Sequence, residues 1–263
     1  DGNNEVIINN GAPNYPVLDS EAGAGDLTMQ NATSITLNGN QLALNGSLTN
    51  VATGATLDAS AAGSELYMSA SSAQSLPSGF VDPDVANFIV ENAGGVTVNS
   101  TMNITEVLDV REGTLTTNGN ITMVCSFSPR GTAQIAAIDG SISGDITVEQ
   151  CFPARRAFRM VSSSTTTSNS IHDNWQEGAN AYDDSSVPNN YGTHITGLGE
   201  VAGSGHSSTP GDGDQVNGLD WQPSGNASMY SFNVTDQSWD MVLETENTST
   251  PSTPVLNAGD AYR

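Results

Sequence analysis

The chain has 263 residues and a formal net charge of −23, because 29 acidic residues face only 6 basic ones, all of them arginine. This charge repels nucleic acids and anionic lipids, so it argues against both as partners, and it attracts divalent cations. No run of about 18 apolar residues is present, so the sequence predicts no membrane-spanning segment.

The first half of the chain is a series of short runs, each alternating apolar and polar residues, separated by turn residues. Residues 1–25 predict one strand, EVIINN, and an extended loop, and then the runs DLTMQ, SITLNGN, QLALNGS, ATLDAS and ELYMSAS follow one another. The Asn-Gly pairs at 38–39 and 45–46 tolerate positive φ and predict tight turns. Residues 71–84 contain two prolines and no alternation, which predicts a surface loop before the strands resume and continue to residue 152.

Repeated short strands with small polar corners have two explanations. In a parallel β-solenoid each coil stacks its apolar edge on the next coil, whereas in a β-sandwich antiparallel hairpins form two packed sheets. Inward positions are mostly single Leu, Ile or Val residues, and aromatic residues are few before residue 150. We therefore favour an all-β chain in which residues 1–150 form a parallel β-solenoid, or β-helix, and we keep the sandwich as the alternative.

The composition changes near residue 150, beyond which lie most of the aromatic residues and all three histidines. Aromatic side chains bury large areas, so this change predicts a separate small core. We interpret residues 151–263 as a smaller β-sandwich-like module in which the polar, Gly/Asp-rich residues 177–220 form a long loop. The runs SMYSFNV and SWDMVLET around VTDQ predict a hairpin, and DAYR predicts the start of another strand.

An ordered set of motifs resembles a known kind of module. The motifs are GSISGDITVEQCF, PARRAFRMVSSSTTTSNSIHDNWQEG, YGTHITG, GLDWQPSGNASMYSFNVTDQSWDMVLET and NAGDAYR, within residues 105–263. In this order they resemble a module of large multidomain surface proteins of Bacteroidetes, especially flavobacteria, that the type IX secretion system exports. The resemblance implies a secreted or cell-surface protein with a structural or adhesive role, and it implies no reaction. In that family the module continues past AYR, so we expect a partial polypeptide.

The chain has two cysteines, Cys125 and Cys151, and each ends an alternating apolar run. Two interpretations stay open: two thiols on neighbouring strands, or a disulfide between adjacent layers of a sheet, which an extracellular setting favours. The family that the chain resembles often has an aromatic residue at position 151. The departure from that pattern points to a specific role for the cysteine pair.

The loop GDGDQVNGLD is the best candidate for an ion site. Its oxygen-bearing residues Asp212, Asp214, Asn217 and Asp220 are closely spaced on a Gly-rich segment, which suits Ca²⁺. The loop lacks the final bidentate Glu and the flanking helices of an EF-hand, and an acidic loop exposed to solvent is the alternative interpretation.

Half of the basic residues, Arg155, Arg156 and Arg159, lie together. They would either capture an anionic sugar or partner, or pair with local carboxylates and thereby tie the aromatic module to the strand ladder. We favour the second interpretation, in which the three arginines are packing residues.

No nucleophile elbow or phosphate loop is present, and the spacing of His172, His194 and His206 is not typical of zinc sites, so we predict that the chain is not an enzyme. We predict an extracellular structural or adhesive module, an adhesin that self-associates into a filament or stalk and binds neighbouring surface proteins or glycans, with calcium as the expected cofactor. One alternative is a β-helix polysaccharide-active enzyme, for which neither Arg111 nor Arg130 stands among acids in a recognisable motif. The other is a glycan- or ice-binding module with a flat Thr face, which would require regular T-x-T columns, and TLTT, GVTV and SITL are too irregular for these.

Overall fold

The computed structural model describes residues 4–49, 52–126, 131–151, 159–178, 193–197, 217–220, 226–246 and 254–263. The chain is nearly all β, with 43% strand and 2% helix. It divides into two compact units, residues 1–153 and 154–263. Among the described residues, no helix has the length and apolar character needed to cross a membrane.

The first unit is a parallel β-solenoid of about six turns, which confirms the predicted fold class. Each turn contributes strands to three faces, and strands of neighbouring turns pair in parallel. The first face consists of two sheets, one of β1 (Val6–Ile8), β3 (Leu27–Met29) and β6 (Leu48–Thr49), the other of β9 (Gln74–Leu76), β11 (Val96–Val98), β13 (Thr114–Thr116) and β16 (Ser141–Ser143).

Two strands of eleven residues, β10 (Val81–Glu91) and β12 (Met102–Glu112), run through both remaining faces. The second face consists of β4 (Ser34–Thr36), β7 (Thr56–Ala59), the first parts of β10 and β12, β14 (Ile121–Met123) and β17 (Ile146–Val148). The third face consists of β2 (Ala22–Ala24), β5 (Gln41–Leu44), β8 (Glu65–Met68), the last parts of β10 and β12, and β15 (Gln134–Ile135).

Alternation within each strand sends one set of side chains into a continuous core and the other set outward. On the third face, Leu66, Phe88 and Leu108 are in register on successive turns and are fully buried. The core is otherwise largely aliphatic, and Phe80 and Phe88 are its aromatic members. Because one small apolar residue per position fills the narrow interior, the scarcity of aromatic residues was the informative signal for a solenoid.

The corners of the solenoid use asparagine and glycine in two ways. Asn38 and Gly39 have φ of 52° and 82°, which confirms a tight turn, although it joins two faces of the solenoid and not the strands of a hairpin. The side chain of Asn40 then donates to the carbonyl oxygen of Leu18 on the preceding turn, at 3.0 Å. At the second Asn-Gly pair the glycine allows close approach instead, because a Cβ on Gly46 would lie 2.7 Å from the carbonyl oxygen of Gly25.

The prediction of a surface loop over residues 71–84 is wrong. This segment contains β9, and β10 begins within it at Val81. Pro83 lies where the register of β10 with β7 shifts between Val81 and Val85. A proline is tolerated at such an irregularity because the ladder needs no N–H there, so the residue did not mark the end of the strand series.

The second unit contains an antiparallel sheet in the order β18-β21-β19-β20. Its elements are β18 (Val161–Ser162), α1 (Ile171–Trp175), β19 (Tyr230–Asn233), β20 (Ser238–Met241) and β21 (Ala261–Tyr262). The β19–β20 pair confirms the predicted hairpin, and β21 confirms the strand predicted at DAYR. The described residues show one sheet here, so the second layer of a sandwich stays a prediction.

A small core holds the second unit together. Its buried members are Ile171, Ile195, Leu219, Met229, Leu256 and Tyr262. The ring of Trp175, at the end of α1, packs edge-on against Tyr262 with 5.3 Å between ring centroids. The helix begins with a capping box, in which Ser170 and Asp173 each accept a hydrogen bond from the other's backbone N–H, so even this short helix has a defined start.

Candidate functional site

The third face of the solenoid carries a polar group that we call the third-face cluster: Tyr67, Glu91, Asp109 and Arg111. Strand register places Tyr67 beside Ile89 and Ile89 beside Asp109, so residues distant in sequence share one outward column. The Tyr67 hydroxyl donates to Glu91 Oε2 at 2.7 Å. Arg111 Nε donates to Asp109 Oδ2 at 2.8 Å, and its Nη1 lies 3.5 Å from Glu91 Oε2.

The surroundings of the third-face cluster alter its titration. Burial, together with the hydrogen bond to Glu91, raises the pKa of Tyr67. The hydrogen bond to Asp109 is the main cause of the raised pKa of Arg111. The cluster therefore presents a neutral phenol and a cationic guanidinium near neutral pH, held between two carboxylates. The structure thus places Arg111 between two acidic residues of the strand ladder, although no recognisable motif marks them in the sequence.

Two further carboxylates lie on the same face and are held by amide donors. Glu65 Oε2 accepts from the side chain of Gln41 at 2.8 Å. Glu106 Oε2 accepts from the side chain of Asn87 at 3.1 Å and from the backbone N–H of Gly63 at 3.2 Å. The face is thus acidic, with the guanidinium of Arg111 among its carboxylates, and it offers both donors and acceptors to a polar ligand.

The first face carries a column of hydroxyl groups. Ser75, Thr97, Thr116 and Ser143 are in register on four successive strands. A shorter column on the second face consists of Asn103, Thr122 and Thr147. GVTV and TLTT contribute Thr97 and Thr116 to the first of these columns, because corners of different lengths absorb the irregular spacing and leave the strands aligned. That column is a single file with serine at both ends, and it is not a regular array of T-x-T columns.

The structure joins Cys125 and Cys151 in a disulfide with their Cα atoms 5.7 Å apart. The two residues follow β14 and β17, which pair in parallel from Ile121–Ile146 to Met123–Val148. The bond therefore connects two neighbouring turns just beyond their last paired residues. The N–H of Cys125 also donates to Glu149 Oε2 at 2.9 Å, which fixes the backbone at this end.

Part of the predicted calcium loop is described. Asp212 and Asp214 lie outside the described residues. The carbonyl oxygen of Asn217 accepts from the N–H of Thr245 at 2.8 Å, and the buried carboxylate of Asp220 accepts from the N–H of Ile195 at 3.1 Å. Among the described residues, no three His, Cys, Asp or Glu side chains come together to hold a metal ion. Calcium binding at this loop stays a prediction.

Only some of the candidate arginines and histidines lie among the described residues. Arg155, Arg156 and His206 lie outside the described residues, and Arg159 lies two residues before β18. The packing role of the three arginines stays a prediction. His172 lies buried in α1, and its N–H donates to the carbonyl oxygen of Thr245 at 2.9 Å. His194 lies beside the buried Ile195.

One arginine has a role that its sequence position did not reveal. The guanidinium of Arg263 lies 5.1 Å from the ring centroid of Tyr230 and 4.9 Å from that of Trp239. This double cation–π contact holds β21 against the β19–β20 hairpin. No local pattern predicts it, because the partners come from three different segments.

Comparison with protein-family models, curated proteins and solved structures found no match to this chain. The arguments below therefore rest on the residues and geometry described above.

Proposed function

We propose that this chain is an extracellular structural and adhesive module, in which the solenoid acts as a rigid spacer that presents flat polar faces. The observation that carries the proposal is the parallel solenoid of about six turns, locked at one end by the Cys125–Cys151 disulfide. Neighbouring turns pair in parallel along the second and third faces, and within each of the two sheets of the first face, so bending requires many hydrogen bonds to break together. Disulfides persist mainly in oxidising, extracellular compartments, which supports a secreted or cell-surface location.

The surface chemistry favours polar, uncharged partners. The net charge of −23 disfavours anionic partners by Coulomb repulsion. The hydroxyl column of the first face offers groups that donate and accept hydrogen bonds at a regular spacing of about 4.8 Å, the distance between neighbouring strands. Hydroxyl-rich glycans and neighbouring surface proteins match this chemistry and would serve the adhesive role. Self-association into a filament or stalk would serve the structural role.

The test combines negative-stain electron microscopy with a glycan array, both in calcium-containing buffer. We expect filaments or elongated assemblies, or retention on neutral glycans. A Thr97→Lys/Thr116→Lys pair should abolish glycan retention, because it interrupts the column on the first face. The matched control is Thr122→Lys/Thr147→Lys, which adds the same charge on the second face. A strictly monomeric chain that binds no glycan would overturn the proposal.

A second candidate function is supported by the third-face cluster. Enzymes that cleave acidic polysaccharides by elimination need a proton-abstracting group and a cation near the substrate carboxylate. Arg111, 47% exposed in its side chain, is suited to the second role, whereas the raised pKa of Tyr67 disfavours its use as a base near neutral pH. Because the cluster offers a suitable cation but disfavours Tyr67 as the base, we place the structural role first.

A screen of acidic polysaccharides for unsaturated products tests the enzymatic alternative. If it is right, products accumulate with the native chain and vanish with Arg111→Gln. The control variant Asp82→Asn also neutralises one charged side chain, with the opposite sign, at an exposed position of β10 on the second face. No product from any polysaccharide, or product formation that survives Arg111→Gln, would exclude a catalytic role for this cluster.

A further inference from the structure

Two buried oxygen atoms in the second unit have no hydrogen-bond partner among the described residues. They are Oε1 of Gln176 and Oγ1 of Thr245, in residues that are 2% and 0% exposed. A buried polar atom without a partner is costly, so native structures nearly always supply one, often an ordered water or an ion. The two oxygens therefore need a partner that the described side chains do not supply.

The two atoms belong to one place in the fold. The Gln176 Nε2 atom donates to the carbonyl oxygen of Gly218 at 2.7 Å. The backbone N–H of Thr245 donates to the carbonyl oxygen of Asn217 at 2.8 Å. Gly218 has φ of +78°, and a Cβ added to it would lie 2.5 Å from Thr245 Oγ1. Helix α1, the segment after β20 and the Asn217–Gly218 turn thus meet around these oxygens.

The orientation of the Gln176 amide is fixed by chemistry. Its nitrogen must face the Gly218 carbonyl, because two oxygens facing each other would repel and form no hydrogen bond. Exchange of the amide oxygen and nitrogen therefore does not remove the problem. The remaining oxygen needs a positive or donating partner from outside the described side chains.

The local charge favours a cation. Thr245 stands between Glu244 and Glu246, and the N–H of Glu246 donates to the Asn217 carbonyl at 3.1 Å, which brings this acidic segment onto the turn. The buried carboxylate of Asp220 follows in the same turn. Amide, hydroxyl and backbone carbonyl oxygens are the neutral ligands with which proteins complete Ca²⁺ sites, and nearby carboxylates supply the attraction.

We propose that Gln176 Oε1 and Thr245 Oγ1 are ligands of a Ca²⁺ ion bound beside the Asn217–Asp220 turn. This proposal is independent of the structural and adhesive role proposed above. The described ligands are neutral, and no three acidic side chains converge among the described residues, so the affinity belongs with weak extracellular sites, with Kd of about 10⁻⁴ to 10⁻³ M. The ion would join α1 to the turn and to the segment after β20.

The test uses the intact chain and calcium alone as the probe. All three tryptophans lie in residues 154–263, so tryptophan fluorescence follows the unfolding of the second unit. Raising CaCl₂ from chelator-treated zero to about 10 mM should raise its Tm by about 4 °C or more. MgCl₂ at the same concentration controls for ionic strength and should have a smaller effect, because Mg²⁺ sheds its water reluctantly.

Two variants assign the effect to the hydroxyl group. Thr245→Val keeps the shape of the side chain but removes the oxygen, so the calcium-induced shift should disappear. Thr245→Ser keeps the oxygen and should keep the shift. The control Thr167→Val removes a hydroxyl that already donates to the Asn169 carbonyl at 2.9 Å, and it should lower Tm equally with and without calcium.

Calorimetric titration of the native chain keeps the proposal testable if Thr245→Val does not fold. Saturable calcium binding with one site that also changes tryptophan emission supports it. No calcium heat and no change in Tm would overturn it and would assign the two oxygens to an ordered water. An undiminished shift in Thr245→Val would also overturn it, because calcium would then bind elsewhere.

Discussion

The two units of this chain bury their side chains in different ways. In the first unit one aliphatic position is repeated from turn to turn, so each side chain meets its equivalent above and below. Interior polar groups are paired with groups on other turns of the solenoid: Asn92 donates to the side chain of Gln74 at 2.8 Å, and Gln74 donates to the carbonyl oxygen of Leu44 at 2.9 Å. Among its described residues, no buried side-chain oxygen or nitrogen is left unpaired.

In the second unit, residues from separate segments meet only once. Its small core joins α1 to distant segments: Trp175 contacts Tyr262, 87 positions away, and the N–H of Ile171 donates to the carbonyl oxygen of Pro254, 83 positions away. It also contains the two unpaired oxygens of Gln176 and Thr245. The stability of a solenoid is approximately a sum over neighbouring turns, whereas a core built from unique contacts depends on each of them. The difference predicts which perturbations each unit tolerates.

The largest expected effect is loss of the disulfide, and it should fall on the first unit. The bond closes a loop with a sequence separation of 26, for which the chain-entropy model gives about 3.5 kcal/mol. We expect Cys125→Ser/Cys151→Ser to lower the free energy of unfolding by up to about this amount. Far-ultraviolet circular dichroism, dominated by the solenoid strands, measures it in urea.

Tryptophan fluorescence supplies the internal control for the disulfide variant. The first unit has no tryptophan and the second has no cysteine, so the fluorescence transition should stay where it is. An equal shift of both signals would show that the two units unfold together, and the contrast drawn between them would fail.

A matched pair of glycines tests how tightly successive turns stack. Gly113 and Gly119 have similar φ, +76° and +72°, but a Cβ on Gly113 would collide with the carbonyl oxygen of Asn92 on the preceding turn, whereas nothing lies within 4 Å at Gly119. Gly119→Ala should therefore cost about 1 kcal/mol, from positive φ alone. Gly113→Ala should cost about 3 kcal/mol, because the turns must also separate.

Urea unfolding followed by circular dichroism measures both glycine variants. Equal costs for the two substitutions would mean that the spacing of the turns is soft, and the description of the solenoid as a rigid spacer would lose its physical basis.

Much of the solenoid was predictable because its information is local. Runs such as QLALNGS and ELYMSAS show alternation within a strand and a turn residue at its end, and each became a strand. What joins one turn to the next is not local. The third-face cluster and the hydroxyl column depend on register, and register depends on how many residues each corner consumes. Pro83 led to the wrong prediction of a surface loop for the same reason, because β10, the strand that contains it, is defined by its pairing with strands on other turns.

In the second unit, less of the structure follows from local patterns and more of it from contacts between distant segments. The β19–β20 hairpin was predictable because the four residues Val234–Gln237 join strands adjacent in sequence. The contact of Gln176 with Gly218 crosses 42 positions and follows no periodicity. The acidic loop pointed to a cation from its composition, but it did not reveal that the unpaired oxygens would come from α1 and from the segment after β20.

The smallest expected effect concerns alkaline pH, and one tyrosine in each unit reports it. Burial raises the pKa of Tyr67, with the hydrogen bond to Glu91 as the next cause, and burial raises the pKa of Tyr262, with the charge of Asp260 as the next cause. A raised pKa means that the folded state holds the proton more tightly than the unfolded state. The resulting stability is complete below the unfolded-state pKa of about 10 and is lost as pH rises through the folded-state pKa.

We therefore expect the stability of both units to fall as pH rises above about 10. Tyr67→Phe should flatten this fall in the circular dichroism signal of the first unit, and Tyr262→Phe should flatten it in the second unit. Near neutral pH, Tyr67→Phe should cost no more than about 1 kcal/mol, because its hydroxyl bonds a partly exposed carboxylate. If Tyr67→Phe leaves the alkaline slope of the first unit unchanged, neither burial nor the hydrogen bond to Glu91 raises the pKa of Tyr67 in solution, and the third-face cluster loses the contact that organises it.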